Sequence, residues 1–191
     1  MKSIKGTITE QNLLKAFAGE SQARTRYTFF ASVARKEGYE QIASVFLETA
    51  EQEKEHAKRF FKFLEGGDVE ILATYPAGKI GSTKENLLAA AKGEREEWDI
   101  LYRDFAKIAQ DEGFPAVVAA FNAIATVEAE HERRYLKLLE RITDGSFFHR
   151  EGKIWWQCRN CGYVVEAQDA PDICPACLHK QAFFEPKKCN Y

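Results

Sequence analysis

Two stretches of this chain could do metal chemistry: Glu53-Lys54-Glu55-His56 and Glu128-Ala129-Glu130-His131. In each, a Glu precedes a His by three residues. On a helix that spacing puts both side chains on one face, where together they can hold a metal ion. Two such pairs, joined by a Glu from each of two further helices, supply a carboxylate-bridged pair of metals. Glu20 and Glu94 are the candidates for the added acids. Composition alone makes two such matches among four His only mildly surprising, so the surroundings must decide. A second set of ligands lies near the C-terminus, where Cys158-Arg159-Asn160-Cys161 and Cys174-Pro175-Ala176-Cys177 form two C-x-x-C knuckles. Paired knuckles are a strong signal for a tetrahedral thiolate site.

Four long helical patterns must position the acids. The first runs from about Thr9, a candidate N-cap, to Glu37, with Leu13, Ala16, Ala23, Tyr27, Phe30 and Ala34 as its apolar stripe. The second runs from Tyr39 to Glu65 (Ile42, Phe46, Thr49, Ala50, Phe60, Phe63), and the third from Thr83 to Glu112 (Leu87, Ala90, Ala91, Trp98, Leu101, Phe105, Ile108). The fourth opens on Pro115, suited to a first helical turn, and continues to Thr143 (Val117, Phe121, Ile124, Tyr135, Leu138). Gly38 and Gly113 make tight turns, so the first two and the last two helices form antiparallel hairpins. Gly66 to Ser82 must join the hairpins. Extended, such a linker reaches about 56 Å, against about 40 Å for the helices. It can therefore cross the whole bundle and leave the second and third helices parallel. One long crossover is the ferritin-like arrangement.

The two halves repeat. Ala34-Arg35-Lys36-Glu37-Gly38-Tyr39 answers Ala109-Gln110-Asp111-Glu112-Gly113-Phe114, and the same offset pairs Tyr27 with Tyr102, Glu53 with Glu128 and His56 with His131. Gly19-Glu20 matches Gly93-Glu94 at an offset one residue shorter. One residue has thus entered the third helix between Glu94 and Tyr102, which predicts a π-bulge there. Glu97 lies in that segment and has only Ala23 as its counterpart.

Glu20, Glu53, Glu94 and Glu128 each fall inside an apolar stripe, one per helix and in register across the repeat. A bare carboxylate there costs several kcal/mol, so each must be protonated, paired or metal-bound. Glu51, Glu55 and Glu132 are assigned to solvated faces. Oxygen ligands with two imidazoles suit iron or manganese, with zinc open. Five Glu, counting Glu97, carry −5. Two divalent ions, or two trivalent ions with one oxo bridge, both bring the formal sum to −1, which favours redox work over hydrolysis. Tyr27 and Tyr102 are candidate donors to the carboxylates or, equally, core aromatics with satisfied hydroxyls.

A net charge of −2 with both signs interspersed gives no electrostatic case for nucleic acid. No run approaches the ~20 apolar residues of a membrane span. The N-terminus lacks the pattern of a signal peptide, and the cysteines read as metal ligands, so a reducing cytoplasm is expected. The cysteine module has little core, and its metal would act as a staple, with Trp155, Trp156, Tyr163, Phe183 and Phe184 around it. Iron and zinc both accept four thiolates, and a structural zinc ribbon is the alternative reading. His149 and His179 are expected at the surface, and Cys189 as a free thiol without an assigned role.

Over essentially its whole length the chain resembles the rubrerythrin family. The resemblance is carried by Phe17-Ala18-Gly19-Glu20-Ser21-Gln22-Ala23-Arg24, Glu53-Lys54-Glu55-His56-Ala57, Gly93-Glu94-Arg95-Glu96-Glu97, Glu128-Ala129-Glu130-His131 and the rubredoxin-like knuckles. It implies a mainly α chain: a ferritin-like four-helix di-iron bundle at 1–145, a linker at 146–153 and a small Fe(Cys)4 domain at 154–191. It implies that Glu20, Glu53, Glu94, Glu97, Glu128 and His131 hold two non-haem irons, one of which exchanges Glu97 for His56 with redox state. Cys158, Cys161, Cys174 and Cys177 would hold a third iron, and no organic cofactor is expected. The implied activity is reduction of hydrogen peroxide to water in oxidative-stress defence. The electrons would come from a donor protein, a rubredoxin or a reductase, through the thiolate iron. Glu97, His56, Tyr27 and Tyr102 would be the residues closest to the chemistry. A homodimer is implied, in which one subunit's thiolate iron serves the other's bundle. Ferroxidase activity and a non-catalytic partner-binding zinc ribbon are the competing readings.

Overall fold

The computed structural model describes residues 2–189. Helix α1 spans Ile8–Lys36, α2 Glu40–Phe61, α3 Thr83–Glu96, α4 Tyr102–Asp111 and α5 Pro115–Thr143. A π-helical turn, Glu97–Leu101, joins α3 to α4, so the two read as one long helix with the inserted residue absorbed where the repeat slips. The turn rotates everything after it. Downstream of it the buried positions are Tyr102, Ala106 and Ala109. The expected stripe of Trp98, Leu101, Phe105 and Ile108 is only half-buried, because a straight-helix periodicity does not survive the extra residue.

Gly38 (φ 84°) and Gly113 (φ 80°) take the left-handed conformation that closes both hairpins. In each turn a backbone N–H reaches back into the preceding helix: Tyr39 N to Ala34 O and Phe114 N to Ala109 O, both 2.8 Å. The Glu just before each glycine has a second task. Glu37 accepts from Thr83 N at 3.0 Å, capping the start of α3, while Glu112 accepts from Ile8 N at 3.1 Å and Thr9 N at 2.8 Å, capping the start of α1. The end of α1 therefore meets the start of α3, so α2 and α3 run parallel and the crossover traverses the bundle.

Two boundaries differ from the sequence reading, and the start of α3 at Thr83 agrees with it. The N-cap of α1 is Thr7, whose side chain accepts from Glu10 N. Thr9 is buried inside the helix, its hydroxyl taken up by Glu112. Helix α2 stops at Phe61 rather than Glu65, whose carboxylate instead accepts from Ser3 Oγ and Ile4 N. Helix α3 starts on a full capping box between Ser82 and Glu85.

A three-stranded antiparallel sheet follows, ordered β2-β1-β3, with β1 at His149–Cys158, β2 at Val164–Asp169 and β3 at Phe184–Pro186. β1 begins inside the stretch expected to be a linker. Trp156 and Phe184 are fully buried beside Cys158 and Cys174, whereas Trp155 is 54% exposed and lies on the outer face of the strand. The C-terminal module packs against the start of α2, where Arg159 Nη2 donates to Ser44 Oγ at 2.7 Å and Phe147, just before β1, meets Tyr39 edge-on at 5.2 Å. Among the described residues, no helix is long and apolar enough to cross a membrane.

Candidate metal centres

At mid-bundle the four helices bring six of the expected side chains together. Glu20, Glu53, His56 and Glu128 offer ligand atoms within 4.8 Å of one another, and so do Glu53, Glu94, Glu128 and His131. Glu53 and Glu128 belong to both groups, the pattern of two carboxylates bridging two ions. Glu128 Oε1 lies 2.9 Å from His56 Nδ1, and its Oε2 lies 2.8 Å from His131 Nδ1. Glu53 Oε2 is 2.9 Å from His56 Nδ1, and its Oε1 is 3.2 Å from His131 Nδ1.

These approaches lack hydrogen-bond alignment. One oxygen each of Glu20 and Glu94, both oxygens of Glu53 and Glu128, and the Nδ1 of each His are buried without a hydrogen-bond partner. Unpartnered buried carboxylates are costly unless a cation satisfies them. The donor set is hard oxygen with two imidazole nitrogens, and it fits iron. The remaining oxygens of the two outer acids are held by tyrosines. The Tyr27 hydroxyl donates to Glu94 Oε1, and Tyr102 donates to Glu20 Oε1 at 2.5 Å. Each tyrosine thus reaches across to the acid of the other half of the repeat.

Glu97 is not in either cluster. Its carboxylate points toward Gly19, at the wall of a cavity beneath the crossover, and His56 completes the first cluster instead. Glu132, assigned to solvent by its helical position, is buried. It accepts from Arg95 Nε and Trp98 Nε1, both at 2.7 Å. Its partners sit on α3 and the π turn, so no pattern within α5 announces them.

In the C-terminal module the four knuckle cysteines cluster, with Cys161–Cys174 sulfurs 3.6 Å apart and Cys158–Cys177 sulfurs 3.7 Å apart. That is far beyond a disulfide bond. It matches the edge of a tetrahedron with bonds of about 2.3 Å, and the cluster fits an iron ion. The knuckle turns place Gly162 (φ 80°) and Leu178 (φ 60°) just after the second cysteine of each pair. Cys189 is an exposed free thiol apart from the cluster. His149 is half-exposed and pairs with Asp169.

The sequence model of rubrerythrin matches residues 11–139, and that of the rubrerythrin rubredoxin-like domain matches residues 156–185. The chain belongs to the rubrerythrin family. Rubrerythrin of Porphyromonas gingivalis is 69% identical over 190 residues, covering 100% of this chain and 95% of that protein. Rubrerythrin of Nitratidesulfovibrio vulgaris is 54% identical over 191 residues and matched over the whole of both chains. A structure of nigerythrin in its fully reduced, all-ferrous state superposes with a TM-score of 0.63 at 30% identity, covering 97% of this chain and 92% of that one.

Within this rubrerythrin bundle the two histidines are not equivalent. His131 Nε2 lies 2.9 Å from Gln52 Oε1, so that nitrogen carries the proton and Nδ1 is left as the ligand. The repeat places Val127 where His56 would need the same partner. The His56 side chain is also more exposed, 13% against 4%. His131 is held from behind by Gln52, and His56 has no such partner. Gln52 had no signal in the sequence, because its partner lies on another helix. Replacing Gln52 with Leu should weaken metal binding at the His131 cluster by about 10–100-fold, measurable by competition with a chelator.

Without metal the cluster is electrostatically unsettled. Burial, with the charge of Glu53, pushes Glu94 up to about 8. Glu20 and Glu97 are also raised well, first by burial and then by their acidic neighbours. Burial alone would lower His56, but contact with Glu128 and Glu53 outweighs it and raises the imidazole to about 9. His131 is raised to about 12 by Glu128, Glu53 and Glu94, again against burial. The signs agree. A carboxyl raised by folding destabilises the fold once it ionises. An imidazolium raised by folding stabilises fully below its ordinary 6.5 and loses that contribution as pH passes about 9. The metal-free protein should therefore lose thermal stability as pH rises from 6.5 to 9. Metal binding needs ionised carboxylates and neutral imidazoles, so it strengthens with pH. Melting curves of the iron-loaded and stripped forms should diverge across that window. Parallel curves would remove the cation from the explanation of this cluster.

Proposed function

We propose that the chain reduces hydrogen peroxide to water. In this reading Glu20, Glu53, His56, Glu94, Glu128 and His131 hold two irons, with Glu97 as an alternative ligand to His56. Cys158, Cys161, Cys174 and Cys177 hold one more. The observation that carries it is the set of buried, unpartnered ligand atoms bridged by Glu53 and Glu128, in the same chain as a clustered four-thiolate site. When bound, the irons supply two electrons at one place and a Lewis-acidic clamp for the peroxide oxygens.

The chain's own residues do the rest. Tyr27 and Tyr102 hold Glu94 and Glu20 in fixed orientation, and burial keeps both phenols protonated as donors. Glu97 stands away from the ligand cluster at the cavity wall where peroxide would arrive, and burial and acidic neighbours raise its carboxyl. The exchange of Glu97 for His56 is supported by the missing counterpart of Gln52 behind His56.

The thiolate cluster supports an outside electron source, a reduced rubredoxin or reductase. Its Arg159 contacts Ser44, twelve residues along α2 from His56, so about 18 Å of helix separates the contact from the bundle site. That span is long for electron transfer within one chain and supports a homodimer in which the thiolate iron of one subunit serves the other. Reduced thiolates go with a cytoplasmic location and with the division into a bundle, a linker and an Fe(Cys)4 domain.

The test is rapid mixing of anaerobically reduced, iron-loaded protein with one equivalent of peroxide. The bundle irons should oxidise first and together. Oxidation of the thiolate iron alone would overturn the reading.

A further inference from the structure

Beneath the crossover, beside the bundle site, lies a cavity of about 300 Å³. A water takes up about 30 Å³, so the space is several times larger than hydrogen peroxide needs. It reaches the lower end of pockets that hold small organic molecules, about 300–1,000 Å³. Glu97 and Tyr102 line it, and so do Tyr75 from the crossover and Leu101 and Phe105 from the π turn and α4, with the exposed Leu72 only at its rim. It therefore pairs acid and phenol with hydrocarbon. The Tyr75 hydroxyl donates to Lys15 O at 2.8 Å, which pins the crossover as a roof. Gly19 preserves the space beneath. A Cβ there would sit 3.6 Å from the Tyr75 ring and 3.8 Å from Glu97 Oε1, and any longer side chain would fill the gap. Arg26 also lines the cavity and brings a guanidinium to its wall.

We propose that this cavity is a substrate pocket for small alkyl and aralkyl hydroperoxides, with the hydroperoxide group at Glu97 and the hydrocarbon among Tyr75, Leu101 and Phe105. This rests on the peroxide-reductase reading and widens its substrate class. The balance is ROOH + 2 e⁻ + 2 H⁺ → ROH + H₂O. The O–O bond breaks, the organic oxygen leaves as an alcohol and the other leaves as water. The two electrons come, as for hydrogen peroxide, from a reduced one-electron donor protein acting twice.

The test compares cumene hydroperoxide with hydrogen peroxide on the iron-loaded full chain and on Ala73→Trp. Ala73 lines the cavity from the exposed crossover, so the larger ring narrows its mouth. A second readout is equilibrium dialysis of the product alcohol, 2-phenyl-2-propanol, against both proteins. The wild type should reduce both substrates. Ala73→Trp should lower kcat/KM for the organic substrate at least about tenfold more than for hydrogen peroxide, which is small enough to pass the narrowed mouth. The alcohol should bind the wild type and bind the variant more weakly. Turnover of hydrogen peroxide alone, with no alcohol bound, would overturn the pocket and leave the peroxide reading standing. Equal loss of both substrates in the variant would also overturn it, making the cavity a common entry route. Failure of both substrates in the wild type would sink both proposals.

Discussion

Glu128→Ala is expected to empty the bundle of both irons and to abolish peroxide reduction. Glu128 belongs to both ligand clusters, and each of its oxygens lies within 2.9 Å of a histidine Nδ1. Removing it takes a ligand from each ion at once and leaves His56 and His131 without the acid that spans them. Metal clamping of a reacting oxygen is worth several kcal/mol, so activity should fall by about a thousandfold or more. The thiolate iron should stay, with its spectrum intact, because it is built from another part of the chain. Glu55→Ala, an exposed acid two residues from Glu53, should leave both centres and the rate unchanged. If Glu128→Ala retained two bundle irons, the bridging role would be lost.

Cys174→Ser separates filling the bundle site from using it. Cys174 is fully buried, with its sulfur 3.6 Å from that of Cys161, and serine offers a hard oxygen where a soft thiolate is needed. Losing even a partner outside the ligand shell weakens a metal site about 10–100-fold, and losing a ligand should cost more. Steady-state peroxide reduction should fall by at least that factor. A single oxidation of the pre-reduced bundle by one equivalent of peroxide should keep its wild-type rate. Undiminished steady-state turnover would take the thiolate iron out of the pathway and favour ferroxidase chemistry.

Much of this was legible because it is local or periodic. Gly38, Gly113 and Pro115 mark helix ends by backbone conformation, and the four stripe acids stand out because a helical face repeats. The π turn was legible for a different reason. The two halves are out of step by one residue between Glu94 and Tyr102, and a helix has few ways to absorb one residue. What was not legible depends on partners distant in sequence. Glu132 fits a solvated face of α5 until Arg95 and Trp98 close over it from across the bundle. Thr9 looks like a cap until Glu112 claims its hydroxyl, leaving Thr7 to do the capping. The bridging pattern was implied by type and spacing, but the unequal settings of His56 and His131 needed Gln52 in place. The cavity needed the path of the crossover, which carries no periodicity at all.

The buried acids and the clustered thiolates of this chain fit iron, which would keep them in place. Metal analysis of protein made in iron-replete, anaerobic cells tests this most directly. Two irons are expected in the bundle and one among the cysteines, with the bundle pair alone lost in Glu128→Ala. Zinc among the cysteines, or a bundle without bound metal whose stability does not respond to added iron, would contradict it.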